Sequence, residues 1–155
     1  MRVLLINPSM NLDKLGRFAA LLEPMPPTGL AYIAGSLEAH GVHVRCIDMF
    51  AEGLSPQDVV DKTERFKPDL IGMTVLTPSA PVCEALTRLL KNRLPEAKFV
   101  WGGVHADVFA KEICRDLGVD FAVHYDGEIT ICELVDALGR NETDFSDVDG
   151  ITWRT

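Results

Sequence analysis

The sequence predicts an α/β protein: a doubly wound, mainly parallel sheet of five or six strands in the flavodoxin-like order 2-1-3-4-5, with helices on both faces. Three observations carry this expectation. Short apolar runs alternate strictly with segments of helical period, without internal repeats. The runs Val3-Leu4-Leu5-Ile6 and Leu70-Ile71-Gly72-Met73-Thr74-Val75 are continuous, the mark of strands buried on both faces. The strands end in turn-forming loops: Asn7-Pro8-Ser9, Thr74-Val75-Leu76-Thr77-Pro78-Ser79, Gly102-Gly103-Val104-His105 and Tyr125-Asp126-Gly127-Glu128. Open α/β sheets bind ligands outside the carboxyl ends of their strands, where these four loops lie.

Val3 to Ile6 is a central first strand. The long stretch from residue 8 to about 26 carries Pro8, Pro24, Pro26 and Pro27 among Met10, Leu12, Leu15, Phe18, Leu21, Leu22 and Met25. A connection of that length in a compact domain is functional or holds a short helix. Pro27 or Thr28 starts a helix running to about His40, with Leu30, Ile33, Ala34 and Leu37 on one face and Gly41 as its C-cap. Val42 to Asp48 begins by alternating apolar and polar residues, which predicts an edge strand with one wetter face. Ser55 then N-caps a helix with Pro56 in its first turn, ending near Phe66 before Lys67-Pro68. Leu70 to Val75 is a second central strand, followed by a helix over 80–93 that Pro95 closes. Phe99-Val100-Trp101 is a fourth strand running into Gly102-Gly103, and a short helix over about 107–116 leads to Gly118. Phe121-Ala122-Val123 is the fifth strand, Glu128 to Leu138 a helix closed by Gly139, and Ile151-Thr152-Trp153 a candidate sixth strand.

The 155 residues make one domain, 1–155, able to bury roughly 70% of the unfolded surface without staples. Hydrophobic residues are 47% and charged residues 25% of the chain, the composition of a globular protein. No apolar run approaches the ~20 residues of a membrane span, and the four-residue run after Arg2 reads as a strand rather than a signal peptide, so a cytoplasmic location is expected. The net charge of −8, with basic residues scattered among acids, predicts no nucleic-acid partner. Cys46, Cys83, Cys114 and Cys132 lack the short spacing of a zinc site or redox dithiol and are expected to be reduced, buried thiols.

In the predicted strand order the chain reverses between strands one and three, which puts a crevice between residues 7–18 and 74–79, with 102–105 beside them. A phosphoacceptor receiver needs acids after strand one and strand three and a Lys after strand five. Those places hold Asn7-Pro8, Thr74 and His124. Pro8-Ser9-Met10-Asn11-Leu12 offers few donors for a flavin phosphate, and neither nucleotide-binding glycine motif is present. What remains is a crevice with small residues inside it, Gly72, Thr74, Gly102 and Gly103, beneath a long apolar loop. Glycine there signals close approach of a ligand or backbone, or only a tight turn.

An ordered set of motifs covers nearly the whole chain. It reads Asn7-Pro8, then Pro27-Thr28-Gly29-Leu30-Ala31-Tyr32-Ile33-Ala34, then Gly41-Val42-His43-Val44-Arg45-Cys46-Ile47-Asp48. It continues through Pro68-Asp69-Leu70-Ile71-Gly72, Gly102-Gly103-Val104-His105-Ala106 and Asp126-Gly127-Glu128-Ile129-Thr130 to Asp149-Gly150-Ile151-Thr152-Trp153. In this order the set resembles the N-terminal cobalamin-binding domain of cobalamin-dependent radical S-adenosylmethionine enzymes. Tyr125 is a departure, standing where the family often has glycine.

The resemblance implies cobalamin as cofactor, with the corrin ring over the strand ends and the nucleotide tail threaded into the crevice. Thr74, Leu76, Gly102 and Gly103 would line the tail pocket, with the Thr74 hydroxyl facing the benzimidazole. The implied binding set is Asn7, Pro8, Ser9, Met10, Asn11, Leu12, Thr74, Val75, Leu76, Thr77, Gly102, Gly103, Val104, His105, Tyr125, Gly127 and Glu128. Better-known cobalamin domains carry a cobalt-ligating His in D-x-H-x-x-G after strand one. Here Asp13-Lys14-Leu15-Gly16 contains none. Base-off cobalamin without a protein His ligand is therefore expected, with Met10, Asn11 and Leu12 facing the lower side of cobalt.

His40 and His43 read as surface residues, His105 as a neighbour of the tail or corrin edge, and His124 as either. Radical chemistry needs a C-x-x-x-C-x-x-C iron–sulfur motif, and the four cysteines do not form one. The 4Fe-4S cluster and S-adenosylmethionine are thus expected only in a radical catalytic domain outside this chain, acting in cis or in trans. Two alternatives stand beside this reading: a small enzyme using His105, Asp126 and Glu128 as acid–base groups, and a flavodoxin-like regulatory module without ligand.

Overall fold

The computed structural model describes residues 1–10 and 25–154. Strands β1 (Arg2–Asn7), β2 (His43–Asp48), β3 (Leu70–Thr74), β4 (Lys98–Gly102), β5 (Phe121–Val123) and β6 (Ile151–Trp153) form one sheet in the order β2-β1-β3-β4-β5-β6. The first five are parallel, and β6 adds antiparallel to β5. The predicted order therefore holds, with the candidate sixth strand in place.

Helices α1 (Thr28–Ala39) and α6 (Glu128–Gly139) cover one face. Helices α2 (Pro56–Phe66), α3 (Ala80–Arg93), α4 (Val104–Val108) and α5 (Ala110–Asp116) cover the other. The side-chain period of two divides the central strands between these faces. Leu4, Ile6, Ile71, Met73, Phe99 and Trp101 pack under α2 and α3, whereas Val3, Leu5, Leu70 and Val100 face α1 and α6.

Local signals set the element ends. Ser55 and Asp58 form a reciprocal capping box around Pro56, and Lys67 in the left-handed region closes α2. Gly41, at φ +80°, follows α1. β2 is the exposed edge that its alternation predicts. One expectation changes: the single helix over 107–116 is two short ones, broken at Phe109 (φ −112°, ψ 25°) and starting earlier, at Val104. Val104 and His105, read as loop, form its first turn because Gly103 ends the extended chain immediately before them.

The cysteines also differ from expectation. Cys83 and Cys114 are buried, and desolvation pushes their thiols up to about 12 and about 11. Cys132 is half-buried and Cys46 is exposed on the uncovered edge strand β2. Among the described residues no helix is long and apolar enough to cross a membrane.

At the amino-terminal edge of the sheet, buried Asp120 accepts a hydrogen bond from the Phe99 backbone N–H (2.9 Å). It also faces Lys91, Lys98 and Arg154 at 3.8, 3.5 and 3.5 Å. Inside the α3 face, the Trp101 indole N–H donates to the Thr87 hydroxyl at 3.2 Å, with both residues buried. Thr87→Val keeps the volume but strands that N–H in an apolar core. It is expected to lower unfolding free energy by about 1–3 kcal/mol, with an unchanged slope in urea denaturation.

Candidate functional site

The register across the sheet aligns Leu5 with Gly72 and Gly72 with Val100. A Cβ on Gly72 would meet the Leu5 Cδ2 at 2.8 Å and the Val100 Cγ1 at 3.5 Å. Two residues further toward the carboxyl ends, on the same face, Thr74 pairs with Gly102. This face therefore carries two glycines and a threonine where the opposite face carries Met73 and Trp101.

The result is a cleft of about 190 Å³ between the sheet, α1 and α6. Its floor is Leu5, Gly72, Met73, Thr74, Val100, Gly102, Gly103 and Val123. Gly29, Leu30 and Ile33 of α1 form one wall, and Tyr125, Asp126, Gly127, Glu128 and Ile131 the other. The lining is mainly apolar, with Thr74 on the floor and Asp126 and Glu128 in the second wall.

The adjacent glycines serve different needs. Gly102 has nothing within 4 Å of a would-be Cβ, so its missing side chain leaves open space. Gly103 adopts φ +94°, ψ 171°, and a Cβ there would lie 2.9 Å from the Val75 carbonyl oxygen. That close approach builds the turn: Val75 N–H donates to Gly102 O at 2.7 Å, and His105 N–H to Val75 O at 3.1 Å. Gly127 is a third close approach, where a Cβ would meet Val123 Cγ1 at 2.9 Å and Ile33 Cδ1 at 3.3 Å.

Of the residues singled out in the sequence, the structure brings Thr74, Gly102, Gly103, Tyr125, Gly127 and Glu128 together on this cleft. Others lie elsewhere. Val75 is buried in the core of the opposite face, and Leu76 and Thr77 are exposed beyond it. Val104 is exposed on α4, and His105 packs its ring on Phe109 at 4.7 Å with Nδ1 3.3 Å from the Thr77 hydroxyl. Asn7 donates from its side chain to Asp48 at 3.0 Å, joining two motif residues 41 positions apart across β1 and β2. Pro8 is buried, Ser9 half-buried and Met10 exposed, and none of the three lines the cleft. Asn11 and Leu12 lie outside the described residues.

Among the described residues the cleft lies on the α1/α6 face. Leu5, Leu30, Ile33, Val100, Val123 and Ile131 were not singled out. The register across β1, β3 and β4 brings Leu5 and Val100 beside Gly72, and the packing of α1 against α6 brings in the helix residues.

His105 is not among the residues lining the cleft with Asp126 and Glu128. His124 is locked elsewhere: its Nδ1 lies 2.6 Å from the Asp107 carboxylate and its Nε2 2.9 Å from the Thr152 hydroxyl. Nδ1–H donating to Asp107 while Nε2 accepts from Thr152 satisfies both contacts. His40 Nε2 sits 2.9 Å from Asp136 at the end of α1, and His43 stacks edge-on to Phe66.

Residues 16–135 match the model of the B12 binding domain. The chain is 33% identical over 171 residues to the cytidylyl-2-hydroxyethylphosphonate methyltransferase of Streptomyces wedmorensis, covering 99% of this chain and 31% of that protein. It is 33% identical over 157 residues to the anaerobic magnesium-protoporphyrin IX monomethyl ester cyclase of Synechocystis, again covering 99% and 31%. The chain thus spans under a third of the length of these relatives. Among solved structures, the cobalamin-dependent S-adenosylmethionine radical enzyme OxsB with aqua-cobalamin bound superposes with a TM-score of 0.83 at 16% identity, over 98% of this chain and 20% of that one. The radical S-adenosylmethionine methyltransferase TsrM from Kitasatospora setae, with cobalamin and a [4Fe-4S] cluster bound, gives 0.81 at 22% identity, over 99% and 29%.

Gly103→Ala combines a glycine-only backbone conformation with a clash against Val75. It is expected to cost about 2–4 kcal/mol of stability in urea denaturation.

Proposed function

This chain belongs to the B12-binding domain family, and we propose that it holds cobalamin with the nucleotide tail in the cleft between α1 and α6. The observation that supports this most is Gly102 on the cleft floor beside Thr74, where nothing lies within 4 Å of a would-be Cβ. The residues present fit such a ligand. A cleft of about 190 Å³ is smaller than the roughly 300–1,000 Å³ that encloses a whole drug-sized ligand, so it takes the tail and leaves the macrocycle over the strand ends. The Leu5, Val100 and Val123 side chains offer apolar contact to a heteroaromatic base, and the Thr74 hydroxyl offers one hydrogen bond on the floor.

Cobalamin supplies, when bound, a cobalt centre able to carry a methyl group. Gly103 and Gly127 hold the loop ends close without side chains in the way, and Asp126 and Glu128 flank the mouth.

The same reading has the cofactor base-off and without a histidine ligand. His124 has both ring nitrogens engaged, His105 packs on Phe109 beside α4, and His40 and His43 lie on α1 and β2 away from the cleft. Residues 8–26 include no histidine in the sequence. We further assign the partner as a radical S-adenosylmethionine catalytic domain, in cis or in trans, which would supply the iron–sulfur cluster. The exposed apolar side chains Leu76, Val104, Val108 and Phe109, beside the strand ends, are suited to docking against it.

Two measurements test this. After mixing with hydroxocobalamin and desalting, the chain should retain the corrin spectrum; Gly102→Val, whose side chain enters open space, should fold normally yet bind at least about tenfold more weakly. A chain that retains no corrin overturns the reading. The electron paramagnetic resonance spectrum of the cobalt(II) form should lack splitting from an axial nitrogen, and its presence would reject base-off binding without histidine.

A further inference from the structure

We infer that Tyr125 is a cofactor-binding residue, an aromatic flank held in a strained backbone conformation at the cleft mouth so that its ring packs against the bound cofactor. This rests on the cobalamin reading and deepens it.

Among the described residues, three non-glycine positions have positive φ: Lys67 at 51°, Tyr125 at 52° and Asn141 at 58°. Lys67 and Asn141 directly follow α2 and the end of α6, where a left-handed residue commonly terminates a helix. Tyr125 terminates none; it lies in the link between β5 and α6. A bulky aromatic residue in this region is disfavoured, and glycine or asparagine would make the same link more easily.

The link is over-determined on both sides. Before it, the His124 backbone N–H donates to Gly150 O at 2.8 Å while its ring is clamped between Asp107 and Thr152. After it, Gly127 is wedged against Val123 and Ile33 at the start of α6. These contacts hold both neighbours of Tyr125 in place, so the fold imposes its left-handed conformation.

The side chain returns almost nothing to the fold. Tyr125 is 87% exposed, its phenol makes no hydrogen bond among the described residues, and its ring centroid stands 6.2 Å from that of His124. It nevertheless lines the cleft. A strained residue whose ring contributes little packing, fixed at a ligand cleft by pinned neighbours, gains its contact when a flat π surface arrives. Such stacking needs the ring rather than the hydroxyl.

The experiment compares the wild-type chain, Tyr125→Phe and Tyr125→Gly in three measurements. These are apo melting temperature, hydroxocobalamin affinity by visible titration, and nitration of Tyr125 located by mass spectrometry. Tyr125→Gly should melt about 2–5 °C higher without ligand, because strain is relieved and little packing is lost. It should bind cobalamin roughly tenfold more weakly. Tyr125→Phe should bind within about twofold of wild type. Nitration of wild-type Tyr125 should fall at least about fivefold on loading. Unchanged affinity in Tyr125→Gly, or equal nitration with and without cobalamin, overturns the inference while wild-type binding still stands. A wild-type chain that binds no cobalamin overturns the underlying reading and this inference with it.

Discussion

The row Leu5–Gly72–Val100 across the middle of the sheet is the constraint on which this face depends. A parallel sheet buried on both faces normally fills each with branched side chains. Here the opposite face is filled by Ile71, Met73, Phe99 and Trp101. The α1/α6 face drops from Leu70 to the bare Gly72 and then to Thr74 and Gly102. Lower down, Leu37 and Leu134 pack fully against the core, whereas Leu30, Ile33 and Ile131 stand beside open space. The bare Gly72 lets the Leu5 and Val100 side chains approach each other, and beyond them Thr74 and Gly102 leave a cleft that opens toward the strand carboxyl ends.

Several motif residues maintain this arrangement without touching the cleft. Asn7 and Asp48 hydrogen bond across β1 and β2, and Asp48 also accepts from the Phe50 and Ala51 backbone N–H groups. Gly150 adopts φ +77° and sits against Thr130, whose hydroxyl donates to Asp149 O, tying the approach to β6 onto α6. These contacts fix where the strand ends and helix starts lie, so the chain can leave the cleft itself empty of side chains.

Strand identity, order and the edge position of β2 were legible because continuous and alternating apolar runs report burial on two faces or one. Gly72, Thr74, Gly102 and Gly103 were legible as small residues at strand ends. Which face they open onto was not, because it depends on register: Gly72 joins the cleft only once it stands between Leu5 and Val100. Val75, Leu76, Thr77, Val104 and His105 adjoin the cleft residues in sequence but do not line the cleft. The break at Phe109 was hidden because the residues on either side, Ala106 and Ala110, both bury in a helical pattern.

The two ends of the strands differ in character. At the amino-terminal edge, Asp120 is surrounded by Lys91, Lys98 and Arg154. Lys91 also donates to the Gly118 carbonyl, and its burial pushes its ammonium pKa down. Breaking such a cluster by removing its carboxylate would leave three cations facing one another, so the edge is held closed. At the carboxyl edge the chain leaves Leu76, Val104, Tyr125 and Ile129 in solvent and keeps one residue in a strained conformation. Apolar exposure and strain are both costs to the free fold. Their concentration at one edge, beside a cleft whose floor lacks side chains, follows if the free energy they forgo is recovered when a ligand and a partner surface cover that edge.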